Sequence, residues 1–222
     1  MISLGLTPPL KFISCEYTVF IMFWRKKKPE TSVLPPNQSP TPGILRWGID
    51  HPGITNELPN VSKEEWRLTV DGEIKVPTVY LYSDFKALPQ VESISDFHCV
   101  EGWSVLKQRW EGVCFRELIG LVKPKSTVQF VFFTCYDGYT TSLPLSELQE
   151  DNIILAVKLN GEDLSQPLGG PMRLVVPEKY AYKSAMWLTK ITFLNRDHLG
   201  FWERNGYSNT ANPWNNDRYT LI

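Results

Sequence analysis

The chain has 222 residues, of which 42% are hydrophobic and 21% charged, and it carries eight tryptophans. This composition excludes a disordered or low-complexity chain and suffices for one ordinary domain with a sizeable core. Because 23 lysines and arginines nearly balance 24 aspartates and glutamates, the chain lacks the positive field on which nucleic-acid binding depends, and we expect no nucleic-acid partner.

The amino-terminal residues divide into an apolar run, a basic run and a proline-rich stretch. The apolar run, residues 13–24, is too short to cross about 30 Å of hydrocarbon. The basic residues 25–28 follow it, whereas a secretory signal places them first, so no cleaved signal is predicted. Residues 29–43 are rich in proline, which favours an extended linker. We therefore predict a tail and linker over residues 1–43 and one folded domain over residues 44–222, with the tail as the only segment suited to membrane contact.

The first predicted elements of the domain are short. Residues 66–70 alternate apolar and polar side chains, Asp71-Gly72 is a favoured turn dipeptide, and residues 74–76 resume the apolar pattern, which predicts a hairpin. Residues 77–81 suit another short strand. Residues 83–88 suit a helical turn that ends before Pro89.

Strands dominate the remainder of the predicted domain. The pattern predicts one helix over residues 115–122, closed by Lys123-Pro124. Apolar and β-branched runs predict five strands, at residues 91–97, 128–133, 153–159, 173–176 and 188–194. The predicted class is therefore α+β and β-rich, with mixed sheets.

Cys99 is the thiol best placed for chemistry, because it follows a predicted strand and enters a glycine-containing loop. Three roles are open: a nucleophile, a redox-active thiol, or a soft ligand for a metal. His98 is poorly placed as its base, because adjacent strand residues face opposite sides of a sheet. Too few cysteines and histidines cluster to form a zinc site. A single thiolate would hold a metal only where a cofactor supplies the other ligands.

A second informative stretch combines Gly169-Gly170-Pro171 with cationic side chains. Arg173 and Lys183 offer charge-assisted donors, and Ser184 stands beside the lysine. This combination suits an anionic, phosphorylated ligand. A turn between strands that carries ordinary surface charges would have the same pattern. Neither a dinucleotide-binding fingerprint nor a phosphate-binding loop motif is present.

Several ordered motifs together resemble the molybdopterin domain of the sulfite oxidase family. The residues that carry the resemblance are HCVEGWS at 98–104, WEGV at 110–113, YDGYTT at 136–141, the segment 169–187, GYSN at 206–209, PW at 213–214 and RY at 218–219. The match spans roughly residues 44–220. It is closer to the small, haem-free bacterial and archaeal members, including the catalytic subunit of the periplasmic methionine sulfoxide reductase, than to sulfite oxidase itself.

The resemblance implies a cofactor of molybdenum and molybdopterin without an added nucleotide. It implies that Cys99 supplies the one protein thiolate to molybdenum, which agrees with the preference of soft metals for thiolates. It further implies that eight residues hold the pterin or its phosphate. They are Arg173, Lys183, Ser184, Ala185, Met186, Thr134, Cys135 and His51. Family members often carry a lysine where this chain has Met186, and an asparagine or histidine where it has Leu168.

The implied activity is oxygen-atom transfer on a small sulfite-type or sulfoxide-type substrate, with Asp137 and Tyr136 as catalytic donors in the pocket. Sulfite oxidase surrounds its anion with several arginines, whereas Arg109 is the only arginine within residues 99–110, which disfavours sulfite. No haem, iron–sulfur or flavin motif occurs, so a separate protein is expected to exchange electrons. A monomer in the cytoplasm is the default expectation.

Two other classes stay open on the residues alone. A non-enzymatic binding module could use the tryptophans to line a groove, with Cys99 as a buried hydrophobe. A thiol-redox enzyme could pair Cys99 with Cys114 or Cys135. A binding module would be fully folded and would bind its ligand without molybdenum, which separates it from a molybdenum oxidoreductase. Activity that survives alkylation of the cysteines would count against a thiol-redox enzyme.

Overall fold

The computed structural model of the protein describes residues 33–220. The predicted tail and the first residues of the predicted linker lie outside this range. Within it, no helix combines the length and the apolar character that a membrane crossing needs.

The described part of the chain is built mainly from strands. In chain order they are β1 (Ser39–Pro40), β2 (Arg67–Gly72), β3 (Thr78–Leu81), β4 (Val91–His98), β5 (Trp103–Cys114), β6 (Phe130–Cys135), β7 (Thr140–Pro144), β8 (Ile154–Leu159), β9 (Glu162–Asp163), β10 (Arg173–Val175) and β11 (Leu188–Leu194). The α-helices are α1 (Tyr82–Lys86), α2 (Phe115–Val122) and α3 (Phe201–Arg204), and single 3₁₀ turns cover Glu147–Gln149, Gln166–Leu168 and Ala181–Lys183.

The strands form two mixed sheets. In the first, the order is β1-β5-β8-β10, with β4 paired to β5 and β9 paired to β8. In the second, the order is β3-β2-β11-β6-β7. The β1/β5 and β2/β11 pairs are parallel and the others antiparallel. The predicted α+β class with mixed sheets is confirmed.

Two apolar cores lie against the first sheet, and β8 shows how the sequence builds both. Its residues 154–157 are all buried, but they alternate between the cores. Leu155 and Val157 join the larger core, which includes residues of both sheets and of α2. Ile154 and Ala156 join the smaller core with Phe97 and Trp110. A strand buried on both faces has a continuous apolar run, which is the pattern that residues 153–157 show.

The predicted hairpin at residues 66–76 is wrong in its second strand. β2 continues through Asp71-Gly72, and its antiparallel partner is β3, so residues 73–77 form the connection. Gly72 has φ +95°, and a Cβ there would lie 2.2 Å from the carbonyl oxygen of Phe193. The glycine therefore permits close approach to β11 and does not form the expected two-residue turn.

Two further differences concern strands. The sequence pattern missed β5, the longest strand, because its apolar residues do not alternate evenly. Its register shifts between Glu111 and Gly112, and Lys107 has φ +54°. Residues 39–40 lie in the predicted linker, yet they pair with Trp103 and Ser104 of β5. Strand pairing therefore begins before residue 44.

Candidate functional site

A cleft opens above the smaller core, where the ends of several elements meet. It holds about 970 Å³ of space, part of it open to solvent. Its walls come from residues 44–54, the turn between β4 and β5, the turn after β6, and residues 181–187.

The Cys99 thiol lines this cleft from a tight turn. β4 ends at His98, and β5 begins at Trp103. The Cys99 amide donates to the Trp103 carbonyl oxygen at 2.8 Å, and the Gly102 amide donates to the Cys99 carbonyl oxygen at 3.1 Å. Gly102 has φ +103°, a conformation that favours glycine. The strand-to-loop location predicted for Cys99 is thus observed.

Burial dominates the electrostatics of the thiol. It raises the pKa of Cys99 to about 12, and the neighbouring Glu101 carboxylate adds to the rise, while the backbone N–H groups of Glu101 and Val100 oppose it. Without a metal, Cys99 is therefore a protonated thiol at neutral pH and a poor nucleophile. A soft metal ion would displace this proton, because the thiolate is the ligand.

The neighbours of Cys99 do not suit thiol chemistry either. The His98 ring is buried and its Nδ1 lies 2.8 Å from Ser104 Oγ, and His98 is not among the residues that line the cleft. Cys114 stands at the far end of β5, which at about 3.3 Å per residue is beyond disulfide reach. Cys135 is buried, and burial raises its pKa well above the ordinary value. These observations disfavour the thiol-redox alternative.

Arg173 presents a buried guanidinium to the same cleft. It donates from Nη1 to the Leu168 carbonyl oxygen at 3.0 Å and from Nη2 to the Ser184 carbonyl oxygen at 3.2 Å. Its carbon Cζ lies 5.0 Å from the ring centroid of Phe97 and 5.4 Å from that of Trp110. Burial lowers the pKa of Arg173 to about 9. Its Nε is buried and has no partner in the protein, so this N–H could serve a ligand.

Lys183 takes a different position from the one that a phosphate-binding role needs. Its side chain is 0% exposed and forms an ion pair with Glu203. It also donates to the Ser142 carbonyl oxygen at 3.0 Å and to Asn209 Oδ1 at 2.9 Å. All three ammonium protons therefore have acceptors in the protein, and Lys183 does not line the cleft. The predicted contact between Lys183 and the pterin has no support in this geometry.

The other predicted site residues divide into two groups. The cleft wall contains His51, Asp137, Ser184, Ala185 and Met186. It does not contain Thr134, Cys135 or Tyr136. The Tyr136 side chain is 59% exposed, so the expected donor role of Tyr136 is not supported by its position.

Asp137 is the carboxyl group best placed to serve the cleft. It lies in the turn after β6, where its Oδ1 accepts from the Tyr139 amide at 3.0 Å. Burial raises the pKa of Asp137, although this hydrogen bond opposes the rise. The carboxyl group therefore keeps its proton to a higher pH than an exposed aspartate would.

The sequence placed tryptophans in a groove only under the binding-module alternative and did not identify which aromatic residues line the cleft. The tryptophan and tyrosine residues that line the cleft are Trp47, Trp103, Tyr139, Tyr182, Trp187, Trp202 and Tyr207. They come from separate segments without a common spacing, so no local pattern identifies them. Among the described residues, the charged or titratable groups in the wall are Glu101, Asp137, His51 and Arg173, besides Cys99 and the tyrosines. Arg109 is absent from the wall, and its guanidinium lies 3.6 Å from Glu92 at the surface.

The cleft combines mostly apolar and aromatic walls with a few convergent polar groups, the features that small-molecule and cofactor sites share. The fold resembles that of the sulfane dehydrogenase SoxCD of Paracoccus pantotrophus, with a TM-score of 0.61 and 19% sequence identity over 68% of this chain and 43% of that chain. The model of the oxidoreductase molybdopterin binding domain matches residues 55–202. The chain belongs to this family.

Relatives within the family extend this match. The uncharacterized oxidoreductase YuiH of Bacillus subtilis strain 168 is 36% identical over 195 residues, which is 88% of this chain and 96% of YuiH. The methionine sulfoxide reductase catalytic subunit MsrP of Campylobacter jejuni is 32% identical over 65% of this chain and 54% of MsrP. The putative reductase subunit YedZ1 of Azospira oryzae is 31% identical over 69% of this chain and 58% of YedZ1. This chain thus spans little more than half the length of the latter two.

The predicted class and cofactor are confirmed by this membership. The protein is an oxidoreductase of the sulfite oxidase type, and its cofactor is molybdenum held by molybdopterin. The residues of the cleft fit such a group. The Cys99 thiol is a soft donor, and the buried Arg173 Nε has no protein partner. The aromatic side chains offer flat apolar walls to a pterin ring.

Proposed function

We propose that the protein transfers an oxygen atom at a sulfur centre, with sulfoxide reduction favoured over sulfite oxidation. When bound, the cofactor supplies a molybdenum centre that exchanges one oxygen atom and two electrons with the substrate. In the reductive direction, a sulfoxide, two electrons and two protons give a sulfide and one water. The residues of this chain would hold the cofactor, orient the substrate and deliver a proton.

Cys99 is the proposed protein ligand to molybdenum, and its position in the cleft is the observation that carries the proposal. The Arg173 Nε would donate to the pterin, because it is a buried donor of a wall residue and no protein group accepts from it. Backbone groups of Ser184, Ala185 and Met186 would complete this grip. Lys183 would not contact the cofactor itself. It would only help to position Tyr182 and Ser184, its neighbours in the chain, which line the cleft.

Asp137 is the proposed proton donor. A sulfoxide oxygen needs protons as it leaves as water, and burial raises the pKa of the Asp137 carboxyl group, which therefore holds a proton to a higher pH than an exposed aspartate does. The tryptophan and tyrosine side chains of the walls would exclude bulk water and strengthen this interaction.

The charges of the wall favour an uncharged substrate. The carboxyl groups of Glu101 and Asp137 line the cleft, and the Arg173 guanidinium already donates to two backbone carbonyls. Repulsion by the Glu101 carboxylate would disfavour a sulfite anion. A neutral sulfoxide avoids this repulsion. The name of the Campylobacter jejuni relative, a methionine sulfoxide reductase, supports the same substrate class.

A separate protein is proposed to supply the electrons. The relatives MsrP and YedZ1 are named as subunits, which supports a partner in general without identifying it. The expected cytoplasmic location is not supported by these comparisons, and the likeness to the reductase subunit makes a periplasmic location the better proposal. Fractionation of cells that produce the full chain would decide between the two.

Metal analysis and substrate turnover test the proposal together. The full chain would be produced in a host that makes molybdopterin, and Cys99→Ser would be compared with Cys114→Ser, which removes a buried thiol outside the cleft. We expect stoichiometric molybdenum in the native chain and in Cys114→Ser, and a lost or altered molybdenum spectrum in Cys99→Ser.

Turnover of the loaded protein then identifies the substrate class. Methionine sulfoxide would be assayed with a reduced viologen dye, and sulfite with ferricyanide. We expect kcat/KM for the sulfoxide to exceed that for sulfite by at least about tenfold. A preference for sulfite would overturn the substrate class, and equal molybdenum spectra in Cys99→Ser and the native chain would overturn the ligand role.

A further inference from the structure

Two side chains from opposite ends of the described chain hold the turn that carries Cys99. Gln38 Nε2 donates to the Cys99 carbonyl oxygen at 3.0 Å. Arg218 Nη1 donates to the carbonyl oxygen of the next residue, Val100. Both residues lie outside the span 55–202 that the family model matches, and neither lines the cleft. Their hydrogen bonds to this turn go to its backbone.

Gln38 is fixed by strand pairing on one side and by a chain of hydrogen bonds on the other. The Ser39 amide donates to the Gly102 carbonyl oxygen at 2.8 Å, which ties β1 to the end of the turn. Gln38 Oε1 accepts from Ser104 Oγ at 2.8 Å. Since the Ser104 hydroxyl proton is used in this bond, His98 Nδ1, also 2.8 Å from Ser104 Oγ, carries the hydrogen.

These bonds fix which way the Gln38 amide points. Its oxygen faces the Ser104 hydroxyl and its nitrogen faces the Cys99 carbonyl. Turning the amide over would place its oxygen against the Cys99 carbonyl oxygen, so the bond to Cys99 would be lost. Gln38 thus bridges the residues at the two ends of the turn.

Arg218 joins three segments of the chain. Besides Val100, its guanidinium donates from Nη2 to the Asn37 carbonyl oxygen at 3.0 Å and from Nε to Asn216 Oδ1 at 2.9 Å. It also lies 5.4 Å from the ring centroid of the buried Tyr180. The planar fork of arginine suits this geometry, because one rigid group reaches two carbonyl oxygens at once. A lysine would bring the charge without the fork.

We propose that Gln38 and Arg218 are positioning residues, which fix the carbonyls of Cys99 and Val100 and thereby the direction of the Cys99 Sγ atom toward the molybdenum. This proposal rests on the proposed ligand role of Cys99. Within the turn, the Cys99 carbonyl oxygen accepts only from the Gly102 amide, and no backbone amide of the described residues donates to the Val100 carbonyl oxygen. Gln38 gives the Cys99 carbonyl a second donor and Arg218 gives the Val100 carbonyl its donor, so both carbonyls are held in place.

Two conservative variants test the proposal in the full chain loaded with cofactor. Gln38→Glu keeps the size of the side chain and the acceptor for Ser104 but cannot donate to Cys99. Arg218→Lys keeps the charge but cannot reach both carbonyls. The matched controls are Gln90→Glu, which loses amide bonds to the carbonyls of Phe85 and Leu88, and Arg116→Lys, which pairs at the surface with Asp151.

Hydrogen exchange and the molybdenum spectrum are the readouts. Loss of one hydrogen bond worth about 1 kcal/mol should speed exchange of the amides in residues 99–104 about fivefold. We also expect a changed electron paramagnetic resonance signal of the half-reduced molybdenum in Gln38→Glu and in Arg218→Lys, because the angle of the sulfur ligand alters. The controls should match the native chain in both readouts. Thermal melting shows whether each variant is folded.

The outcomes separate the positioning role from the ligand role. Unchanged exchange in both variants would overturn the positioning role. Faster exchange with an unchanged spectrum would overturn it as well, since the turn would then loosen without moving the ligand. Cys99→Ser decides the other question: if its spectrum equals that of the native chain, the ligand role fails and this proposal fails with it, whatever the exchange rates are.

Discussion

Replacing Lys183 by methionine should destabilise the protein strongly, because it would leave the Glu203 carboxylate buried and unpaired. The two side chains are 0% and 1% exposed. One Glu203 oxygen, Oε1, accepts from Lys183 and from Thr141 Oγ1 at 2.6 Å, while the other, Oε2, is buried without a partner. Removing one partner of such a buried pair costs about 3–5 kcal/mol.

The expected loss is large enough to measure by two methods. For a domain of this size, about 3–5 kcal/mol lowers Tm by roughly 6–20 °C. Thermal melting followed by circular dichroism and urea unfolding followed by tryptophan fluorescence should both report it. Arg116→Met is the matched control, because it breaks an exposed pair with Asp151 and should cost at most about 1 kcal/mol.

A double variant and a pH series test the cause of this loss. In Lys183→Met with Glu203→Gln, the second change removes the unpaired charge and should restore part of the stability. Burial lowers the pKa of Lys183 below its ordinary 10.5, although Glu203 opposes this. The unfolded chain then binds the proton more tightly, so native stability should rise with pH between the folded pKa and 10.5, and this slope should vanish in Lys183→Met. A loss in Lys183→Met no greater than in Arg116→Met would refute the argument.

Three further changes probe the cleft and the fold. Asp137→Asn should lower kcat for sulfoxide reduction about 100-fold. Because burial raises the Asp137 pKa, native kcat should fall as pH rises through that value and the variant should lose this limb; an unchanged kcat in Asp137→Asn would remove the residue from the mechanism. Tyr136→Phe should retain both molybdenum and turnover, because Tyr136 lies outside the cleft wall, and a lost signal in either assay would contradict this placement. Gly72→Ala should lose at least about 3 kcal/mol in urea unfolding, since its Cβ would lie 2.2 Å from the Phe193 carbonyl oxygen. Gly138→Ala, at φ +85° with no atom within 4 Å, should lose only about 1 kcal/mol, and equal losses in the two would show that the contact at Gly72 is not limiting.

Local signals predicted the elements whose boundaries are set locally. Helix α2 covers the predicted residues 115–122, because its apolar residues recur with the helical period and Pro124 follows its end. Strand β11 covers the predicted residues 188–194, because apolar and polar residues alternate there with the period of two that is typical of a strand. Cys99 was identifiable as well, because a strand and a glycine turn flank it within a few residues.

Contacts between distant residues decide the parts that the sequence did not predict. From the sequence alone, Lys183 is expected to be a cation free to bind a ligand. Its acceptors in the fold are Glu203, twenty residues later, and Ser142, more than forty residues earlier. Only the fold brings these acceptors together. The sequence predicts that Gln38 belongs to a proline-rich linker. Its hydrogen-bond partners Cys99 and Ser104 are more than 60 residues away in the chain. No local pattern carries this information.

The departures of this chain from the family pattern leave the placement of Arg173 intact. Leu168 offers no polar side chain, but the bond that Arg173 makes to it uses its backbone carbonyl oxygen, at 3.0 Å. Met186 packs against Gly169, where an added Cβ would lie 2.8 Å from the Met186 Cβ. A polar group is therefore missing at each position, while the backbone that surrounds Arg173 is held by packing. Binding of the pterin would accordingly depend more on Arg173 and on backbone donors than in a relative with polar side chains at positions 168 and 186. Arg173→Lys, which loses the fork and the Nε donor, should for this reason reduce molybdenum content more than Met186→Leu does.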